Sequence, residues 1–256
     1  MKQRLIGVLI LLPLILIFFA GNIVFTIFSL VLGVLGFMEL KIAFSKKGVC
    51  IPVLFAAIIP VFLFLFSIEK LNPFTMGILV LGMILCFVIQ ILREKISISD
   101  SAFTIFSILY AFIPFWLISR IYVLENGLKY TVLIFIIAFV TDIFACITGK
   151  YFGKHKLLPN ISPNKTIEGS VGGIIGTLII CLIYGHFTNI PLLWMLPVSV
   201  WGSIIAQVGD LFASSIKRHC EIKDFSNLIP GHGGILDRFD SVIFVTILIS
   251  VMILII

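Results

Sequence analysis

Apolar stretches long enough to cross a membrane recur along nearly the whole chain. A transmembrane helix needs about 20 mostly apolar residues, and nine such stretches occur, near residues 5–20, 22–40, 49–67, 73–92, 101–124, 129–148, 171–188, 191–213 and 239–256. Hydrophobic residues make up 61% of the chain and charged residues only 12%. Because lipid offers no partner for unpaired backbone amides, the sequence predicts an all-α polytopic membrane protein with about nine transmembrane helices.

Positive charge is distributed unevenly over the connections between these stretches. With the N-terminus inside, all but three of the 18 lysines and arginines fall on one side, the exceptions being Lys70, Arg120 and Lys129. Basic connections mark the cytoplasmic side, so we expect an integral membrane protein with a cytoplasmic N-terminus. The short chain without a soluble extension favours a bacterial plasma membrane, and an organellar membrane is the alternative. This charge reflects topology alone or also attracts anionic lipids and phosphates. Nucleic acid is not an expected partner, because no soluble basic domain exists to hold it.

Two long polar segments interrupt the apolar pattern, and both fall on the predicted cytoplasmic side. They cover residues 149–170 and 214–240, and connections of this length usually carry function. We therefore expect a transmembrane scaffold over residues 1–124 and a catalytic transmembrane region over 125–256 that includes both cytoplasmic loops. Small residues spaced four apart, Gly169 with Gly173 and Gly172 with Gly176, predict close helix packing at the start of the seventh stretch.

Carboxylates inside two of the apolar stretches indicate where polar chemistry lies. Asp142 and Asp210 each sit near the cytoplasmic end of a predicted span, where a buried charge costs about 3 kcal/mol or more and marks a protein interior or a wet cavity. Spacings of three and four residues place one polar stripe on a single helical face, formed by Gln207, Asp210, Ser214 and Lys217. A structural role in holding helices together remains the alternative for both carboxylates, and it is stronger for Asp142 than for Asp210.

A glycine-rich turn precedes the last apolar stretch. Residues 230–234 read Pro-Gly-His-Gly-Gly, and Asp237 and Asp240 follow. Glycines allow close backbone approach to a ligand, and a helix N-terminus binds anions, so the turn could cradle phosphate. Ordinary helix capping by the aspartates is the alternative. Cations, carboxylates and glycines together are what phosphoryl chemistry needs.

These residues resemble the signature of the phosphatidate cytidylyltransferases, also called CDP-diacylglycerol synthases. The signature is a serine, then Lys-Arg, Lys-Asp, Pro-Gly-His-Gly-Gly, Asp-Arg and a final Asp, and here it spans residues 214–240. The segment 149–169 resembles the same family. After Asp142 the chain reads Ile-Phe-Ala-Cys, where many relatives have a small residue and an aromatic, so no substrate contact is carried over there.

The resemblance implies transfer of the cytidylyl group of CTP to phosphatidate, giving CDP-diacylglycerol and pyrophosphate, with Mg²⁺ as cofactor. A second, monovalent cation and a homodimer are left open, and membrane lipids are expected partners. The leading predicted metal ligands are Asp210 and Asp237. Asp240 is a further candidate, either for the metal or for holding Arg238 in place. The predicted catalytic residues are Asp210, Asp237, Lys223 and Asp224. The predicted substrate-binding residues are Ser214, Lys217, Arg218, His232, Gly233, Gly234, Arg238, Lys165 and Ser162. For His232, a structural role in bracing the loop is the alternative.

Two other functional classes compete with this interpretation. A CTP-dependent lipid-alcohol kinase or a CDP-alcohol phosphotransferase would also combine nucleotide and lipid, but a kinase would release CDP rather than pyrophosphate. A transporter could use the intramembrane carboxylates Asp142 and Asp210 as an ion path. Against a transporter, the polar loops lie on one predicted face only, and no inverted repeat is visible in the sequence.

Overall fold

The structure is a computed structural model that describes residues 17–51, 97–229, 231 and 233–254, with isolated positions between 64 and 92. Within these ranges, five helices are long and apolar enough to cross a membrane. They are Asn22–Ser45, Ile98–Val123, Gly127–Phe152, Ile167–Thr188 and Leu192–His219. The predicted membrane-helical character is thus confirmed. The predicted spans at 5–20, 49–67 and 73–92 lie largely outside the described residues, so the number nine stays a prediction.

The chain divides into two compact units, and the first comprises Met1–Arg120 with Ile222–Asp237. Its described elements are α1 (Asn22–Ser45), α2 (Ile98–Ser107), a π-helical turn (Ile108–Phe112) and most of α3 (Ile113–Val123). α1 packs on the π-helical turn, where the rings of Phe37 and Phe112 lie 5.4 Å apart. A Cβ added at Gly33 would meet the same Phe112 ring, so the absent side chain allows this close approach.

The second compact unit comprises Ile121–Glu221 with Arg238–Ile256. It contains α4 (Gly127–Phe152), α5 (Ile167–Thr188), α6 (Leu192–His219) and most of α7 (Leu236–Leu254). Between α4 and α5 lies an antiparallel hairpin of β1 (Lys156–Leu158) and β2 (Ser162–Thr166), in which Lys156 pairs with Thr166 and Leu158 with Ser162. The predicted division near residue 124 stays a prediction.

Glycines bring α5 against α4. An added Cβ at Gly172 would collide with Thr148, and one at Gly176 would collide with the ring of Phe144. The close helix packing expected from the glycine spacing is therefore confirmed, and its partner is α4.

Buried hydroxyl groups add polar contacts among α4, α5 and α6. The hydroxyl of Thr141 lies 2.8 Å from that of Thr177 and 3.0 Å from that of Ser203. All three side chains are buried, so these bonds join three apolar helices at one point.

The two polar segments contain more regular structure than the sequence indicated. The hairpin takes up half of residues 149–170, and it qualifies the all-α prediction because a polar loop outside lipid can pair its backbone as strands. α6 continues to His219, and its last turn carries Lys217, Arg218 and His219, which stabilise the negative end of a helix dipole. α7 covers the ninth predicted span as far as residue 254, and its first turns carry Asp237, Arg238 and Asp240.

Candidate active site

Three carboxylates from three helices of the second unit interact electrostatically with one another. The carboxylate of Asp210 on α6 repels the carboxylates of Asp142 on α4 and Asp240 on α7. The hydroxyl of Ser241 lies 3.5 Å from Oδ2 of Asp142 and 3.5 Å from Oδ1 of Asp240. Like charges at short range repel, so nearby positive charge stabilises this acidic group, Asp142, Asp210 and Asp240.

Two lysines supply positive charge to the acidic group. The Nζ atom of Lys165 lies 2.6 Å from Oδ2 of Asp210, and each side chain is 26% exposed. Lys217 attracts Asp240 electrostatically. The sequence predicted Lys165 and Lys217 as substrate-binding residues, and the structure places both beside the predicted metal ligands of this unit.

The hairpin delivers Lys165 to Asp210. Thr166 caps α5 by accepting a hydrogen bond from the amide of Gly169 at 3.1 Å, which fixes the end of β2. At the start of the hairpin, Glu168 accepts hydrogen bonds from the amide of His155 and contacts its ring at 2.6 Å. Arg218 donates from Nε to the carbonyl of Ile161 at 3.4 Å, so α6 also holds the turn of the hairpin.

The predicted polar stripe on α6 divides between two roles. Gln207 is buried and donates to the carbonyl of Ser170 at 3.3 Å, so it joins α6 to α5 as a structural contact. Asp210 and Lys217, one and three turns farther along, belong to the acidic group and its cations. Ser214 lies between them on α6 and is half-buried, as is Ser162 on β2.

In the first unit, Asp237 braces the glycine-rich turn. Its Oδ2 atom accepts hydrogen bonds from the amides of Phe225 at 2.8 Å and Gly234 at 2.9 Å. Gly233 has a φ of +84°, a conformation that favours glycine, and its carbonyl accepts a hydrogen bond from the amide of Ile229 at 2.9 Å. This is the capping role that the sequence left open as an alternative.

A carboxylate that the sequence interpretation missed completes this turn. Glu39 on α1 accepts hydrogen bonds from the amides of Ile235 at 2.8 Å and Leu236 at 2.9 Å and from the hydroxyl of Ser226 at 2.6 Å. The signal was present, because Glu39 lies inside the apolar stretch 22–40 and the argument applied to Asp142 and Asp210 holds equally for it. The amides of Gly234, Ile235 and Leu236 are thus engaged by carboxylates, and the phosphate cradle stays a prediction.

The remaining predicted site residues are exposed or lie outside the described residues. Lys223, Asp224 and Arg238 are exposed. Pro230 and His232 fall outside the described residues, so the role given to His232 stays a prediction. Asp210 belongs to the second unit and Asp237 to the first, and their joint binding of one metal ion also stays a prediction.

The acidic group suits a hard divalent cation by its chemistry. Its donors are carboxylate oxygens, the atoms that Mg²⁺ prefers. Across the described part of the chain, no set of three or more His, Cys, Asp or Glu side chains is arranged to hold a metal ion. Mg²⁺ usually takes one or two carboxylates and fills its coordination shell with waters and substrate phosphates. Asp210 and Asp240 therefore fit as a partial ligand set.

Almost the whole chain is similar in sequence to proteins of one known family. The sequence profile of the Cytidylyltransferase family matches residues 2–256. Relatives named phosphatidate cytidylyltransferase include those of Staphylococcus epidermidis, 34% identical, and of Staphylococcus haemolyticus and Staphylococcus aureus, each 35% identical. In all three cases the alignment covers 97% of this chain and 96% of the relative. The chain belongs to the cytidylyltransferase family.

Proposed function

We propose that this enzyme transfers the cytidylyl group of CTP to phosphatidate, giving CDP-diacylglycerol and pyrophosphate for phospholipid biosynthesis. The relatives that match 97% of the chain are named for a cytidylyl transfer to phosphatidate. The structural observation that supports the proposal best is the 2.6 Å pair between Lys165 and Asp210 next to Asp142 and Asp240. Opposite charges held on separate elements suit a reaction that joins two polyanions.

The reaction needs charge neutralisation more than proton transfer. A phosphate oxygen of phosphatidate attacks the α-phosphorus of CTP, and the bond from that phosphorus to the oxygen bridging to the β-phosphorus breaks. The bridging oxygen keeps the electron pair and leaves as part of pyrophosphate. Because a phosphate monoester is already ionised near neutral pH, with a second pKa of about 6, no dedicated general base is required.

Carboxylates of the acidic group are proposed to hold Mg²⁺, with Asp210 and Asp240 as ligands and Asp237 as the further candidate. When bound, this ion neutralises negative charge on the triphosphate as the transition state forms. Lys165 pairs with Asp210 and is proposed to pair with a phosphate oxygen instead when CTP binds. Asp224 remains a candidate for orienting Lys223.

The remaining candidates are proposed to bind the substrates. Basic side chains bind the triphosphate and the leaving pyrophosphate, namely Lys217, Arg218, Lys223 and Arg238. Hydroxyl, imidazole and glycine positions complete the binding surface, namely Ser162, Ser214, His232, Gly233 and Gly234.

The site is proposed to face the cytoplasm, where CTP is available, and phosphatidate is proposed to enter sideways from the surrounding lipid. The excess of basic residues on one predicted side supports this orientation. A monovalent second cation and a homodimer remain proposals as well. Activity with K⁺ or Na⁺ as the only monovalent cation, and the mass of the purified protein in detergent, check them.

Product analysis tests the proposed function. Purified enzyme is incubated with α-³²P-labelled CTP, phosphatidate and Mg²⁺, with and without EDTA. We expect label in a lipid, one pyrophosphate released for each lipid labelled, and no product in EDTA. Release of CDP with an unlabelled nucleotide-free lipid would indicate a kinase, and ion flux in proteoliposomes without CTP would indicate a transporter. Either result would contradict the proposal.

A further inference from the structure

Glu39 is a charged side chain buried within an apolar helix. It lies on α1 and is 4% exposed, whereas a carboxylate within a membrane span costs about 3 kcal/mol or more unless partners compensate. Gly36, one turn earlier on the same face, leaves room for the side chain of Leu236. Within the first unit, α1 therefore presents a small residue and then an acid to the first residues of α7.

Both carboxylate oxygens of Glu39 accept hydrogen bonds from the start of α7 and the segment before it. Oε1 accepts hydrogen bonds from the amide of Ile235 and the hydroxyl of Ser226, and Oε2 accepts one from the amide of Leu236. The first amides of a helix have no partner within the helix, and here a side chain from a helix far earlier in the chain supplies it. A negative charge at this end also complements the dipole of α7.

The two carboxylates Glu39 and Asp237 together bind backbone amides on both sides of the glycine-rich turn. Asp237 binds the amides of Phe225 and Gly234, and Glu39 binds the next two amides and Ser226. The contact is tight, because a Cβ added at Gly234 would overlap the Glu39 carboxylate. Glu39 therefore lies against Gly234, whose amide binds Asp237, so the two carboxylates hold the same end of the turn.

We infer that Glu39 is a positioning residue for cytidylyl transfer, which holds the glycine-rich turn and Asp237 in their working geometry without touching either substrate. The inference rests on the proposed function. A small misplacement of binding groups can cost up to about a hundredfold in rate. Loss of the Glu39 contacts should therefore impair the binding of CTP in protein that remains folded.

The test compares Glu39→Gln with Asp100→Asn, which offers a matched control. Asp100 is also a buried carboxylate of the first unit, 6% exposed, and it accepts hydrogen bonds from the amides of Cys50 and Ser97, each at 2.8 Å. Both changes remove the same charge from a cap of backbone amides, but only Glu39 contacts the glycine-rich turn. Steady-state kinetics with CTP, thermal unfolding midpoints and the monodisperse fraction in detergent are measured for each variant.

We expect Glu39→Gln to raise the KM for CTP at least about fivefold and to lower kcat about tenfold, while Asp100→Asn leaves the KM for CTP unchanged. Loss of folded protein lowers the maximal rate but cannot change KM, so the KM separates positioning from general stability. If Glu39→Gln yields no folded protein, Glu39→Asp, which keeps the charge and shortens the side chain, carries the same expectation.

Three results would overturn the inference. One is a parent-like KM and kcat in folded Glu39→Gln, and another is an equal rise of KM in Asp100→Asn. The third is a parent protein that releases no pyrophosphate from CTP, which would refute the proposed function itself. The first two leave the proposed function intact, so the two failures are distinguishable.

Discussion

Asp210 and Glu39 are both carboxylates on apolar helices, but they are held in different ways. Asp210, in the second unit, is 26% exposed and pairs with the ammonium group of Lys165. Glu39, in the first unit, is 4% exposed and binds two backbone amides and a hydroxyl. The first partner is a charged side chain on a hairpin, and the second set of partners is mostly backbone.

This difference separates a carboxylate suited to chemistry from one suited to support. A lysine can leave a carboxylate for a phosphate oxygen when a metal ion or substrate arrives, because both partners of the pair are partly solvated. Backbone amides at a helix start cannot leave without unfolding the turn. We therefore expect changes at Asp210 to act on the chemical step and changes around Glu39 to act through the glycine-rich turn.

The largest expected effect comes from Asp210→Asn. Removing the charge takes away a proposed metal ligand while keeping the side-chain volume, and we expect kcat to fall at least about a hundredfold. The midpoint of thermal unfolding in detergent should change little, because Lys165 and the substituted side chain would both remain partly exposed to solvent. Glu125→Gln, at an exposed connection of the same unit, is the control. A variant with near-parent Mg²⁺-dependent turnover would remove Asp210 from the site.

Lys165→Ala should have the next largest effect. The variant loses a charge-assisted contact to Asp210, and we expect kcat/KM for CTP to fall about tenfold. Because Asp210 then lacks its competing cation, the Mg²⁺ concentration for half-maximal activity should decrease. Lys156→Ala, at an exposed position of the neighbouring strand β1, is the matched control. Equal losses in the two variants would mean that the hairpin matters only for folding.

The sequence predicts those features of the fold that depend on the residues of a single helix. The stretches at 129–148, 171–188 and 191–213 became α4, α5 and α6, and the glycine spacing on α5 predicted its close packing. The sequence also predicts a metal-binding role for Asp210 and a substrate-binding role for Lys165, each from its own segment. Their 2.6 Å contact was not predicted, because it depends on a hairpin whose strands carry no alternating apolar pattern.

Glu39 shows why the other half of the arrangement escaped the sequence interpretation. Its partners, Ser226, Ile235 and Leu236, lie far away in the sequence, and the groups that Ile235 and Leu236 contribute are backbone amides, which residue type does not reveal. A long-range contact between a side chain and the backbone therefore produces no regular spacing of residue types from which it could be predicted. What the sequence did offer was an isolated acid in an apolar stretch, which indicates a buried partner but does not identify it.

Gly234→Ala tests the supporting half of the comparison with a smaller expected effect. The new Cβ would overlap the Glu39 carboxylate, so we expect kcat/KM for CTP to fall about fivefold and the unfolding midpoint to decrease. Because both changes disturb one contact, combining Gly234→Ala with Glu39→Gln should cost less than the sum of the two single effects. Strict additivity of the two changes in a double-mutant cycle would show that they act on separate contacts.

The smallest effect is expected at Ser241, which lies between two members of the acidic group. Its hydroxyl is 3.5 Å from Asp142 and from Asp240, at the limit of hydrogen bonding, so each bond is weak. We expect Ser241→Ala to change kcat/KM by no more than about threefold. Ser250→Ala removes a hydroxyl from the same helix that bonds only to the carbonyl of Thr246 among the contacts described, and it should leave kinetics unchanged. A much larger loss in Ser241→Ala would mean that the hydroxyl sets the separation of Asp142 and Asp240, and the acidic group would then depend on neutral donors as Glu39 does.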